Sequence, residues 1–75
     1  MARRWHVRPG EIIELPEGSE FMRRSGGSEI WYNPFINKSY YITGHPDLGW
    51  DVIEYDSPLC DQCWERYRRY TRDGV

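Results

Sequence analysis

The chain has no run of 18 apolar residues and only two cysteines among its 75 residues. The first absence removes a membrane-spanning helix, which needs about 18 or more consecutive apolar residues. The second removes a disulfide scaffold, since a bridge-stapled chain of this size carries about four to eight cysteines. No apolar stretch follows the charged opening, Arg3-Arg4-Trp5-His6-Val7-Arg8-Pro9-Gly10-Glu11, so it does not read as a secretory signal. A cytoplasmic location is the expectation. Missing too are a glycine-rich phosphate loop and a dinucleotide fingerprint. His45 and Asp47 share one loop, but no serine on a strained elbow accompanies them. The acids Asp47, Asp51, Glu54 and Asp56 lack the spacing of a calcium loop. A domain this small buries only about 60% of its unfolded surface, which leaves no room for a deep pocket. The expectation is a protein that is not an enzyme.

What the chain has is aromatic side chains and segregated charge. Aromatics make up 16% of it, with four Trp and six Tyr. Disordered chains are poor in such residues, so a folded domain is expected. The net charge of −2 conceals blocks of one sign. Residues 1–10 hold three Arg and no acid, and residues 11–20 hold four Glu and no base. Residues 41–61 hold five acids and no base, and residues 62–75 hold four Arg against Glu65 and Asp73. Such blocks complement one another within a domain or complement a partner.

Turn residues divide the chain. Residues 1–10 read as a flexible arm ending at Pro9-Gly10, and residues 11–75 as one small domain. Glu11-Ile12-Ile13-Glu14-Leu15 reads as a first strand, closed by the turn residues Pro16-Glu17-Gly18. Ser19 to Arg24 and Glu29 to Asn33 flank Ser25-Gly26-Gly27-Ser28, a hairpin turn in which glycine accepts positive φ freely. Lys38 to Thr43 and Trp50 to Tyr55 complete the strands. The C-terminal segment changes period. Ser57 can cap a helix that Pro58 opens. Leu59, Cys63, Tyr67 and Tyr70 then fall on one helical face, predicting a helix over about residues 58–72. The fold class expected is α+β: a small antiparallel meander sheet of about four to five strands with the C-terminal helix packed on one face. Ile13, Leu15, Phe21, Ile30, Tyr32, Tyr41, Trp50, Val52, Leu59, Cys63 and Tyr67 are the expected core.

The stretch from Leu15 to Tyr41 resembles a WW domain. Leu15-Pro16, Gly18 and Glu20 stand where such domains begin, and Gly27, Ile30-Trp31, Asn33, Ser39 and Tyr41 fall at the spacing of their marker residues. Ser19 replaces the first tryptophan, Tyr41 the second, and Pro34 the groove histidine, so the resemblance does not carry over a proline-rich ligand. Residues 21–34 are also similar to the first hairpin of HicA-type toxins, RNA-cleaving proteins with a double-stranded-RNA-binding-like fold. Ser28 there takes the place of the catalytic histidine, and the leading helix of that family is absent. Each likeness covers less than half the chain. What the two share is an antiparallel meander, and that alone is what they imply.

Three sets of residues are candidates for function. Cys60 and Cys63 form a C-x-x-C that can chelate zinc, with His45 as a third ligand. The alternatives are a dithiol made reactive by the helix N-terminus and plain thiols, Cys63 being buried on the helix face. Arg3, Arg4, Trp5 and Arg8 interleave base and aromatic, as single-strand nucleic-acid binders do, although the acidic total opposes it. Trp31 and Tyr40, with Arg23 and Arg24 beside them, are the residue types of protein-binding hot spots. By strand parity, Trp31 points opposite to Ile30 and Tyr32. The leading expectation is a non-enzymatic protein-binding regulator or inhibitor of a larger cytosolic machine. It is of the kind that phages and mobile elements direct at host transcription, with a host complex such as RNA polymerase as partner. The alternative is a small RNA- or DNA-binding protein stabilised by zinc.

Overall fold

Alternating apolar and polar residues between tight turns fold the middle of the chain into successive hairpins. In the computed structural model, residues 3–57, Leu59, residues 63–65 and Arg68 are described. The strands are β1 (Arg3–Val7), β2 (Glu20–Ser25), β3 (Ser28–Asn33), β4 (Lys38–His45) and β5 (Gly49–Tyr55). They form one five-stranded sheet in the order β1-β5-β4-β3-β2, with every neighbour antiparallel. Residues 20–55 are a continuous meander. Arg3–Val7, expected as a loose arm, instead pairs with β5 from Arg3↔Glu54 to Val7↔Trp50. The basic opening block therefore lies against the acidic one, with His6 Nδ1 3.0 Å from Asp51 Oδ1.

This order places β1 and β2 at opposite edges, running in the same direction. The twelve residues between them, 8–19, must cross a whole face of the sheet. Four strand spacings are about 19 Å, and twelve residues reach on the order of 40 Å, so a single pass suffices. Residues 11–15, expected as a strand, are part of this strap and have no strand partner among the described residues. The hydrophobic residues that predict a strand do serve burial, because Ile13 and Leu15 pack onto the sheet beneath.

Each face of the sheet carries a buried cluster. On the front, under the strap, Val7, Tyr40, Ile42 and Val52 form a buried cluster joined by Trp5, Ile13, Leu15, Trp31 and Trp50. On the back, Met22, Ile30, Tyr32 and Cys63 form a second cluster joined by Tyr41 and Leu59. Of the expected helix over 58–72, Cys63, Trp64, Glu65 and Arg68 are helical, and the others apart from Leu59 lie outside the described residues, Tyr67 among them. Phe21, expected in the core, is 46% exposed, and Met22 is buried in its place. The cause is a β-bulge: Phe21 faces Trp31 and Arg23 faces Ile30, leaving Met22 as the extra residue. A bulge re-aims the side chains of the strand that carries it.

The β4–β5 hairpin brings β1 close to Gly49. Gly49 has φ of 92°, and a Cβ there would lie 2.5 Å from the Val7 carbonyl oxygen. Neither the dihedral nor the contact suits another residue. Gly49→Ala should destabilise by about 1–3 kcal/mol, which for a domain of this size lowers the melting temperature by roughly 4–8 °C per kcal/mol. An unchanged thermal melt would show that β1 does not approach the hairpin this closely.

Candidate interaction surface

The front face is organised by rows of side chains that cross all five strands. One row runs Phe21, Trp31, Tyr40, Glu54, Arg3, each opposite the next across a strand pair. Its inner end is a buried polar relay. Tyr40 is fully buried and its hydroxyl donates to Glu54 Oε2 at 2.8 Å. Glu54 is itself buried, and its other carboxylate oxygen lies 3.6 Å from Arg3 Nε. The Arg3 guanidinium stands 5.1 Å over the Trp5 ring, and Trp5 meets Tyr40 edge-on at 6.3 Å. A carboxylate taken out of water needs such partners. Burial of Tyr40, together with its bond to the Glu54 carboxylate, pushes the phenol well above its ordinary range. It stays a donor throughout the physiological range.

The outer end of the row opens to solvent. Phe21 stands edge-on to Trp31 at 5.7 Å and 77°. Trp31 is half-buried, and its indole N–H donates to Glu29 Oε1 at 3.1 Å. The second Glu29 oxygen accepts from Arg24 Nη2 at 3.0 Å. A hollow of about 340 Å³ lies here, between Trp31, Glu29 and Ile42 on the sheet and Ile13, Leu15 and residues 16–19 on the strap. The strap is fixed at this point by Asn33, which is fully buried. Its amide donates to the Glu17 carbonyl at 3.0 Å, and its side-chain oxygen accepts from the Phe35 main-chain N–H at 3.0 Å. Ser19 closes the turn by donating to the Pro16 carbonyl at 2.7 Å. Gly18 supplies the positive φ of 96° that this turn requires.

The expected protein-binding residues are thus divided. Trp31 and Arg24 come together through Glu29, on the face opposite Leu59 and Cys63. Tyr40 is corrected from exposed contact to buried core, because the front face is covered and not free. Arg23 is opposite Ile30 and so belongs to the back face. Phe21 is the site residue that the sequence reading assigned to the core. The signal for it, the bulge, depends on pairing between strands.

The interleaved basic set is split by the same alternation. Arg3 and Trp5 share the front face, where Glu54 balances Arg3, while Arg4 pairs with Ile53 on the back. Arg8 is exposed beyond the end of β1. Of the zinc candidates, Cys60 lies outside the described residues. Cys63 is buried against Met22, Ile30 and Tyr32, and His45 is exposed at the β4–β5 turn, where its Nδ1 accepts from the Asp47 N–H at 3.2 Å. Among the described residues, no three His, Cys, Asp or Glu side chains stand together as metal ligands. Among the same residues, no helix is long and apolar enough to cross a membrane.

In comparisons with protein-family models, curated proteins and solved structures, none matches the chain. The likenesses of residues 15–41 to a WW domain and of residues 21–34 to a toxin hairpin therefore describe the meander and carry no family assignment.

Tyr40→Phe should destabilise the fold by about 1.5–3 kcal/mol, the range for a hydrogen bond to a charged group, because Glu54 remains buried with Arg3 as its only remaining partner of the two. In the wild-type protein the phenol of the unfolded state ionises before that of the folded state as pH rises past 10, so the stability it contributes is full below that point and falls above it. Alkaline melts of both proteins test this. A wild-type melting curve that falls no faster than that of Tyr40→Phe above pH 10 would contradict it.

Proposed function

We propose that the chain is a non-enzymatic protein-binding module whose contact surface is the open end of the front face, centred on Phe21 and Trp31. The observation that carries this reading is an exposed phenylalanine edge-on to a half-buried tryptophan, beside a hollow and an arginine-carboxylate pair. Trp, Arg and neighbouring apolar side chains, partly desolvated before a partner arrives, are the composition of a hot spot. The module acts in the cytoplasm by occluding or repositioning a larger machine. A host enzyme complex such as RNA polymerase, met by a regulator of phage or mobile-element type, is the partner first to be sought. The same reading takes residues 58–72 as a helix across the back face, supported by the packing of Leu59 and Cys63 there.

A second reading, nucleic-acid binding, draws on one observation. Arg23 and Arg4 end a back-face row through Ile30, Tyr41 and Ile53, and neither has an ion-pair partner among the described residues. Unpaired arginines flanking an aromatic on a sheet face suit a single strand. Capture from a lysate with and without nuclease separates the two readings.

The variants that test the first reading are Phe21→Ala and Trp31→Ala. Loss of either should weaken the captured complex by about 2 kcal/mol, close to thirtyfold in Kd by calorimetry. Phe21→Ala should leave the melting temperature nearly unchanged, whereas Trp31→Ala should lower it as well, since Trp31 also packs on the core. Full affinity in both variants would place the contact elsewhere.

A further inference from the structure

Residues 11–15, Glu-Ile-Ile-Glu-Leu, have the composition of a strand and the burial alternation of one. Ile13 and Leu15 turn down onto the sheet, while Glu14 and the 83% exposed Ile12 turn up. Among the described residues, no strand pairs with them. Among the described residues, the main-chain N–H and C=O groups from Ile12 to Leu15 make no hydrogen bond. The nearest main-chain bonds are Glu11 N–H to the Arg8 carbonyl and Ser19 N–H to the Pro16 carbonyl, one at each end of the strap. Space is open on both flanks, about 340 Å³ toward Trp31 and about 730 Å³ toward Trp5.

Unpaired main-chain groups in an extended segment are a template for a further strand, and folded proteins guard such templates with charge or bulges. Both edges of this sheet are guarded. Arg3 and Arg4 stand on β1, and β2 carries Arg23, Arg24 and the bulge. The strap instead offers an exposed isoleucine.

We propose that the strap is an acceptor strand, and that its occupant is an extended, basic segment of another protein, added along Ile12 to Leu15 on the Trp31 side. This rests on the protein-binding reading above and names the partner's chemistry. Side chains of an added strand alternate between two faces. Those turned inward cover Trp31 and Ile42 and are apolar. Those turned outward stand beside Glu14. Residues 11–20 hold four Glu and no base. Glu14 and Glu17 are exposed without an ion pair among the described residues, and the nearby Glu29 is already balanced by Arg24. Lysine or arginine at the outward positions matches this charge, and an acidic segment is repelled by it.

The probe is a short capped peptide in which lysine alternates with valine, with a glutamate-valine peptide as its counterpart. Amide hydrogen exchange of the whole chain, followed residue by residue, is the readout. The lysine peptide should slow exchange at alternate residues from Ile12 to Leu15 by about tenfold or more, and shift the Trp31 indole N–H signal. The glutamate peptide should do neither. The double variant Glu14→Lys, Glu17→Lys changes two exposed side chains and should reverse the preference.

Four results would overturn the proposal: no slowing with the lysine peptide, equal slowing with both peptides, slowing confined to β1 or β2, or strap protection that grows with protein concentration alone. The last would make a second copy the occupant. If Phe21→Ala abolishes capture of a partner while the strap amides never slow, protein binding stands and strand pairing falls. If neither Phe21→Ala nor Trp31→Ala affects capture, the binding surface itself is wrong.

Discussion

Everything on the front face depends on one topological constraint. β1 and β2 end up at opposite edges of the sheet and run the same way, so the chain between them has to cross that face. The crossing supplies cover for the buried cluster on that side of the sheet. Because it is a single extended strap, it covers the face incompletely. Val7, Tyr40, Ile42 and Val52 are sealed beneath it, while Trp5, Trp31 and Trp50 are left half-buried around it. The aromatic surplus in the composition is therefore a property of this arrangement: wide side chains fill what a narrow strap cannot.

Charge follows from the same pairing. The basic opening of the chain and the acidic stretch before Asp56 are adjacent strands, β1 and β5, where Arg3 meets Glu54 and His6 Nδ1 lies 3.0 Å from Asp51 Oδ1. At the other end of the sheet Lys38 bonds Asp56, and this bond is the largest of the influences that hold the Asp56 carboxyl down to about 2. That pair is exposed and contributes little to stability. The Glu54 site differs in kind, because its carboxylate is buried and has two partners. What internal pairing leaves over is on the strap, where Glu14 and Glu17 have no ion pair among the described residues.

Four of the strands, from Glu20 to Tyr55, were legible in the sequence, because β-favouring residues alternate between turn residues that fix each hairpin. β1 was not, since Arg3-Arg4-Trp5-His6-Val7 looks like a strand only once β5 supplies Asp51 and Glu54 beside it. Residues 11–15 were read correctly as extended and wrongly as paired, because local preference fixes the conformation of a segment and not its neighbour. Strand parity placed Trp31 away from Ile30 and Tyr32. Parity could not choose between Tyr40 and Tyr41, since each face of this sheet carries a buried cluster and each tyrosine enters a different one. The exchange of Phe21 for Met22 turned on a bulge, which exists only between two strands. Of the site, then, Trp31 and Arg24 could be found from sequence, and Phe21 and the strap required the fold.

The central claim is that the strap crosses the front face with Ile13 and Leu15 seated on the core beneath it. Methyl nuclear Overhauser contacts in the free protein test it most directly. The account predicts contacts from the Ile13 and Leu15 methyl groups to those of the Val7, Ile42 and Val52 cluster, the residues they cover. Ile13 and Leu15 methyls without contact to any of these three, beside a front cluster in contact with residues of the C-terminal segment, would contradict it.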